Sequence, residues 1–154
     1  MSRDLAVVID LDGTFVDNKH LLETYLPMPS HVKDENQYWT DFIEESLYCK
    51  ANWWCSRLIK DMLKANVEII FLTSRTGSIK NRDLTKRWLD AVLPEDAEYT
   101  LVMRNRGCHK PDHVSKKDLM VTNIVPYYDV IFAVDDKKEN IDMFESLSIK
   151  GLLC

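Results

Sequence analysis

Two pairs of carboxylates follow apolar runs of this chain and could act together. Asp10 and Asp12 end one run, and Asp135 and Asp136 directly follow Val130–Val134. Side chains alternate along a strand, so Asp10 and Asp12 leave the first run on the same side. Neighbouring carboxylates repel unless one is protonated or a cation lies between them. Since oxygen ligands suit Mg²⁺, the two pairs predict a magnesium site if they meet.

A third apolar run delivers groups that suit a phosphate. Thr73, Ser74 and Arg75 follow Leu72 and offer hydroxyls, backbone amides and a guanidinium. Either acid pair alone could be a surface turn or a helix cap. The carboxyl ends of parallel strands share one crevice. Polar groups at three strand exits therefore favour a ligand-binding site over surface turns or helix caps.

The elements needed to position these groups are present in the sequence. Short apolar runs recur at wide intervals with helical patterns between them, and the first run, Leu5–Ile9, reads as a central strand buried on both faces. This alternation predicts an α/β fold with a doubly wound, Rossmann-like parallel sheet. Asn52 is expected to cap one helix, and Ser78 or Asn81 to begin another.

One segment interrupts the alternation. Residues 16–51 are long for a strand-to-helix connection and contain a helical pattern over Tyr38–Tyr48. We expect a single domain over residues 1–154 with a small cap insertion at 16–51. A peripheral packing hairpin is the alternative. Aromatic residues are numerous here, and Tyr38 or Trp39 could stack on a nucleobase.

Composition bounds the class of protein. The chain has 154 residues, 45% hydrophobic and 29% charged, which fits one compact domain. No apolar stretch is long enough to span a membrane and none resembles a signal peptide, so we expect a cytoplasmic protein that does not bind membranes. Its four cysteines are then expected to be reduced thiols.

Charge is unevenly distributed. The whole chain carries −5, whereas residues 75–117 carry +4. If a nucleic acid strand is bound, its phosphodiesters are expected to meet this basic segment. The candidate residues there are Arg75, Arg82, Lys86, Arg104, Arg106 and Lys110. A solvated helix face is the other interpretation.

The motifs resemble those of the haloacid dehalogenase (HAD) superfamily of aspartate-nucleophile phosphatases. Asp10-Leu11-Asp12-Gly13-Thr14 matches the first motif, Thr73 the second, a lysine near 116 the third and Asp135-Asp136 the fourth. By this resemblance Asp10 is the nucleophile that forms an aspartyl-phosphate, and Asp12 protonates the leaving group and then activates water. Asp10, the backbone carbonyl of Asp12, and Asp135 or Asp136 would ligate Mg²⁺.

A narrower resemblance is to the phosphatase half of polynucleotide kinase-phosphatases. It covers Thr73–Gly77, Asp83–Leu89, Leu101–Met103, Ile124–Val130 and Ala133–Asp136 in order. It implies a phosphate-binding set in which Asp112 orients basic side chains. That set comprises Thr14, Thr73, Ser74, Arg75 and Asp112.

The active-site lysine has two candidates. Spacing back from Pro126 and Asp129 selects Lys116, whereas helical periodicity groups Lys117 with Val114 and other apolar residues. We favour Lys116, with Lys117 as the alternative.

The expected function is that of a Mg²⁺-dependent phosphomonoesterase. Its predicted substrate is a 3′-phosphate on a nucleic acid end or a nucleotide, and no obligate protein partner is evident. The alternative is a phosphatase of free nucleoside monophosphates or another small phosphorylated metabolite. The acidic net charge favours it, as does the sequence Lys19-His20-Leu21 where the family places an arginine.

Overall fold

A computed structural model describes residues 2–154, and the α/β prediction is confirmed. Within these residues the strands are β1 (Asp4–Ile9), β2 (Glu68–Thr76), β3 (Thr100–Arg104), β4 (Tyr128–Asp135) and β5 (Lys150–Leu153). The helices are α1 (Lys19–Tyr25), α2 (Glu35–Ser46), α3 (Trp53–Lys64), α4 (Ile79–Val92), α5 (Asp112–Leu119) and α6 (Lys138–Ser146). A π-helical turn, Met120–Ile124, follows α5 directly.

All neighbouring strands are parallel, in the order β3-β2-β1-β4-β5. The first strand is therefore central, as its uninterrupted apolar run predicts. Strand order reverses between β1 and β4, which is where open α/β sheets form a ligand crevice. Asp10 follows β1 and Asp136 follows β4, so both acid pairs lie at this crevice.

The sheet is packed on both faces. Val8 faces a cluster that includes Met120 and Phe144, and Ile9 faces one that includes Phe15 and Trp88. Side chains of β1 thus serve two hydrophobic cores in alternation, and residues 6–9 are at most 1% exposed. This double burial fixes the end of β1, from which Asp10 emerges.

Helix starts agree with the sequence in one case and differ in another. Ser78 caps α4, where its hydroxyl accepts the N–H of Asn81 at 3.1 Å. Asn52 occupies the N-cap position of α3, but its side chain makes no capping bond and donates to the carbonyl of Thr14 at 2.7 Å. Asn52 therefore braces the loop after β1.

Exposure along α5 explains why periodicity pointed to Lys117. Lys116 is 2% exposed, whereas Lys117 is exposed and Val121 is 49% exposed. Lys117 and Val121 lie four residues apart on one exposed face of the helix. An apolar stripe that includes Val121 therefore selects the wrong lysine.

The two ends of the segment 16–51 lie next to each other. Val16 and Ala51 form an isolated antiparallel bridge, and α2 joins α4 through the Thr40 hydroxyl, which donates to Asn81 at 2.8 Å. The segment contains α1, which the sequence did not predict, and α2, which begins three residues before the predicted helix. The interpretation of the segment as a cap stays a prediction.

No helix within residues 2–154 has the length and hydropathy that a membrane span requires.

Phe15 anchors the loop after β1 in the core. Its ring stacks on Phe71 at 5.6 Å and meets the edge of Trp88 at 5.1 Å. We expect Phe15→Ala to lower the free energy of unfolding by about 3–5 kcal/mol through lost burial and a cavity. Urea denaturation measures this. Tyr48→Ala is the control, because Tyr48 is 90% exposed, and an equal loss in both variants would contradict this role of Phe15.

Candidate active site

Asp10 is fixed from three directions where β1 ends. Its backbone N–H donates to the carbonyl of Val134 at 3.0 Å, which joins the exits of β1 and β4. The Thr14 hydroxyl donates to its Oδ2 at 2.8 Å, and Lys116 Nζ lies 2.9 Å from its Oδ1. The carboxylate is therefore oriented with little freedom to rotate.

Glycine is required at position 13 because Asp136 approaches the backbone closely there. Its φ is +79°, a region that favours glycine, and a Cβ there would lie 2.5 Å from Oδ2 of Asp136. The backbone N–H of Gly13 donates to Oδ1 of Asn18 at 2.9 Å. The turn thus lets the two strand exits meet closely.

Three carboxylates converge at this edge of the sheet. Oxygen atoms of Asp10, Asp135 and Asp136 all lie within 4.8 Å of one another. Lys116 Nζ bridges two of them, at 2.9 Å from Asp10 and 2.7 Å from Asp135. Asn140 donates to both carboxylate oxygens of Asp135 at 3.1 Å. One buried cation therefore faces three acids.

Burial and neighbouring charges shift the pKa values of these groups. Burial raises the pKa of Asp10 well above its ordinary value; Lys116 opposes this, and Asp135 and Asp136 reinforce it. Burial and the charge of Asp135 likewise raise the pKa of Asp136. The pKa of Lys116 is raised because its two acidic partners outweigh its burial.

This donor set fits Mg²⁺. The ligands are hard oxygen atoms, and a divalent cation would stabilise the charged form of Asp10, whose pKa is raised by burial first and by Asp135 and Asp136 second. Asn140 Oδ1 is buried and has no hydrogen-bond partner within residues 2–154, so it can accept a hydrogen bond from a water molecule bound to the metal ion. Asp10, Asp135 and Asp136 are the side chains that would hold the ion.

Asp12 lies outside that group. Arg75 binds its carboxylate through Nε at 3.0 Å and through a terminal nitrogen at 2.6 Å, and Asn18 donates to it at 2.8 Å. Burial raises the pKa of Asp12, but the charge and hydrogen bonds of Arg75, with that of Asn18, outweigh burial and lower it overall. The carboxylate of Asp12 is thus not a metal ligand here, and the ligand role of its backbone carbonyl stays a prediction.

The structure separates the predicted phosphate-binding residues. Ser74 and Arg75 line the cavity. Thr73 is 1% exposed, and its hydroxyl oxygen accepts the N–H of Arg75 at 3.1 Å. The prediction for Thr14 is wrong: it is fully buried, its N–H donates to Leu11 and its hydroxyl donates to Asp10. Thr14 orients the carboxylate and leaves no donor for substrate.

Asp112 pairs with two basic side chains, in keeping with the orienting role that the resemblance implied. It accepts from Arg104 at 2.5 Å and from Lys137 at 2.6 Å. Arg104 is 9% exposed and also donates to the carbonyls of Ser74 and Lys110. The expectation that Arg104 meets phosphodiesters is therefore wrong, because its guanidinium is committed to holding the loop after β3.

A cavity of about 480 Å³ joins these groups. Acidic and basic side chains at the strand exits form one side of it. Apolar residues of α1, the residue after it and α2 form another: Leu22, Leu26, Trp39, Phe42 and Ile43. Trp39, one of the two aromatics predicted to meet a base, lines the cavity, whereas Tyr38 donates its hydroxyl to the carbonyl of Tyr25.

Sequence reasoning missed two buried asparagines. Asn18 holds both Gly13 and Asp12, and Asn140 holds Asp135. Each lies five or six residues beyond the acid that it supports, and both are at most 1% exposed. An asparagine shortly after each acidic motif was the available signal, but asparagine is common at surface turns and caps.

The comparisons with known proteins agree on family and fold. Residues 4–154 match the family of the polynucleotide kinase PNKP phosphatase domain. No curated protein sequence matches the chain.

Solved structures share the fold at low sequence identity. Two are structures of the Pnkp1/Rnl/Hen1 RNA repair complex, each with a TM-score of 0.74. They are 22% and 23% identical, cover 99% and 100% of this chain, and are covered over only 42% and 47% of their own. A class C acid phosphatase from Bacillus anthracis with tungstate bound gives a TM-score of 0.64 at 16% identity, covering 99% of this chain and 67% of that one. This chain thus spans less than half the length of the matched RNA repair chains.

Removal of Lys116 should expose the repulsion among the three acids. We expect Lys116→Met to cost about 3–5 kcal/mol of unfolding free energy at neutral pH, because it leaves buried charges unpaired. The raised pKa of Asp10 means that its contribution to stability is present at low pH and lost as pH rises through that pKa. The deficit should therefore shrink as pH falls toward 4, as measured by urea denaturation across pH. Lys117→Met is the control, and an equal effect there would contradict the assignment.

Magnesium should stabilise the fold without any substrate. We expect saturating Mg²⁺ to raise the melting temperature of metal-free protein, by an amount corresponding to about 2.7 kcal/mol at one hundred times Kd. The shift should be larger at pH 7.5 than at pH 5, because protonated carboxyls bind the ion poorly. Asp136→Asn should diminish it and Asp129→Asn, at an exposed position, should not. No shift in the unaltered protein would refute the site.

Proposed function

The chain belongs to the family of polynucleotide kinase PNKP phosphatase domains and is a HAD-type phosphatase, and from that premise we propose that it removes a terminal phosphate from nucleic acid ends. The observation that carries the proposal is the convergence of Asp10, Lys116 and two further acids at one strand edge. We further propose that the reaction requires Mg²⁺ and that the phosphate removed is a 3′-phosphate.

Asp10 is the proposed nucleophile. One of its carboxylate oxygens forms a bond to phosphorus as the bond from phosphorus to the leaving oxygen breaks, which gives an aspartyl-phosphate. Thr14 and Lys116 each donate to a different oxygen of this carboxylate, so its orientation is set before substrate arrives. Lys116 also offsets negative charge as the phosphoryl group approaches.

Asp12 is the proposed acid and base. Arg75 and Asn18 favour the ionised form of Asp12, so it must take up a proton as substrate binds, a step that transfer of Arg75 donors to the phosphate would favour. Protonated Asp12 gives that proton to the departing alkoxide. The ionised carboxylate then takes a proton from water as that water attacks phosphorus, breaks the bond to Asp10 and releases inorganic phosphate. Its contacts with Arg75 and Asn18 set its position beside the nucleophile. Arg75 is paired before substrate binds, so any contact it makes with phosphate must use its remaining donors or exchange those held by Asp12.

The three carboxylates are the proposed magnesium ligands. When bound, Mg²⁺ would act as a Lewis acid that neutralises phosphoryl oxygens and the acids themselves. Asn140 and the backbone N–H of Lys137 hold Asp135 in place for that role, at 3.1 Å and 3.0 Å. Ser74 lines the cavity at the exit of β2 and is proposed to bind the phosphoryl group.

Different observations support a nucleic acid end and a small phosphorylated molecule as the substrate. The family and the RNA repair complexes among the solved structures support a nucleic acid end. Acidic net charge and a cavity with more acidic than basic side chains support the second candidate, a free nucleotide or other small phosphorylated metabolite. Both use the same chemistry at Asp10.

A substrate panel distinguishes the two candidates. We expect 3′-phosphorylated oligonucleotides to be hydrolysed with at least about tenfold higher kcat/KM than 5′-phosphorylated ones, than free mononucleotides and than sugar phosphates. Asp10→Asn and Asp12→Asn should each lose about a hundredfold or more in kcat. Asp129→Asn is the matched control. Preference for sugar phosphates would overturn the nucleic acid proposal, and full activity of Asp10→Asn would overturn the mechanism.

A further inference from the structure

One side of the active-site cavity has no role in phosphoryl transfer. We call it the apolar wall: Leu22, Leu26, Trp39, Phe42 and Ile43. Trp39 is half-buried and is held by aromatic neighbours, with its ring 6.2 Å from Tyr25 and 5.8 Å from Phe42. An aromatic ring packed in this way is a rigid platform inside the catalytic cavity.

The opposite side offers little for a chain of phosphodiesters. The cationic side chains that line the cavity within residues 2–154 are Arg75, Arg104, Lys110, Lys116 and Lys137. Each is already in an ion pair with a carboxylate. Six acidic residues line the same cavity. Electrostatic attraction to a polynucleotide backbone is therefore weak here, and recognition inside the cavity must come from another contact.

The size of the cavity suits a terminal nucleotide. Its volume of about 480 Å³ lies within the roughly 300–1,000 Å³ typical of small-molecule sites. There is room for a base and a sugar beside the reacting phosphate.

We propose that the apolar wall is a nucleobase platform that stacks the single terminal base of the substrate, with Trp39 as its principal contact. The proposal rests on the proposed function and names the part of the substrate that is recognised. Stacking on an aromatic face accepts every base, so the preference is for the presence of a base over its identity. The proposal concerns this terminal nucleotide, since the rest of the strand lies outside the cavity.

The test compares two 3′-phosphorylated oligonucleotides that differ only in the terminal residue, a normal nucleotide or an abasic tetrahydrofuran. Stacking is worth about 1–3 kcal/mol per base, so the base-bearing substrate should have about tenfold higher kcat/KM. Trp39→Leu should bring this ratio close to one, mainly through KM, and Trp39→Phe should preserve most of it. Trp53→Leu is the control, because Trp53 is 82% exposed and lies on α3 away from the cavity.

Each outcome decides the proposal. A ratio near one in the unaltered protein, or a ratio that Trp39→Leu leaves high, overturns the platform while nucleic acid ends are still hydrolysed. Failure to hydrolyse any nucleic acid end overturns the proposed function, and the platform with it. If Trp39→Leu melts too early to assay, the abasic comparison in the unaltered protein and in Trp39→Phe still gives the answer.

Discussion

Mutual repulsion among three carboxylates is the constraint on which this molecule depends. Asp10, Asp135 and Asp136 lie within a few ångströms of one another; the first two are buried, and Lys116 pairs with both of them. Unpaired charges in a buried place would be protonated or would destabilise the fold. Lys116 offsets part of the repulsion, and the carboxylates that remain favour binding of a cation. The repulsion opposes folding, whereas the same cluster of carboxylates supplies the capacity for catalysis.

The surrounding fold holds the acids together against that repulsion. Two hydrophobic layers clamp β1, a backbone hydrogen bond ties the end of β1 to β4, and Gly13 permits the close approach of Asp136. Buried asparagines then fix the acids individually. Because these contacts come from four different parts of the chain, the site can form only when the sheet is complete.

Much of this was readable in the sequence. Uninterrupted apolar runs predicted the parallel sheet, and acids placed directly after those runs predicted where they would meet. The remainder depended on contacts that no local pattern encodes. The burial of Arg104 follows from carbonyl groups of Ser74 in β2 and of Lys110 in the loop after β3, which are far apart in the chain. Periodicity alone could not distinguish Lys116 from Lys117, because Val121, which it counted as apolar core, is half exposed. Thr14 was misassigned because a hydroxyl beside a carboxylate motif can face either the substrate or the carboxylate itself, and spacing does not distinguish the two.

The bridge between Val16 and Ala51 has a consequence for how such a protein can change over time. It brings the two ends of the α1–α2 segment side by side beyond the carboxyl end of β1, so the path of the chain into and out of the sheet does not depend on the length of the segment between them. The entropy of closing a loop grows only slowly with its length, and insertions between these two residues therefore carry a small penalty. Divergence in this segment can alter what enters the cavity while the carboxylates beneath it are inherited unchanged.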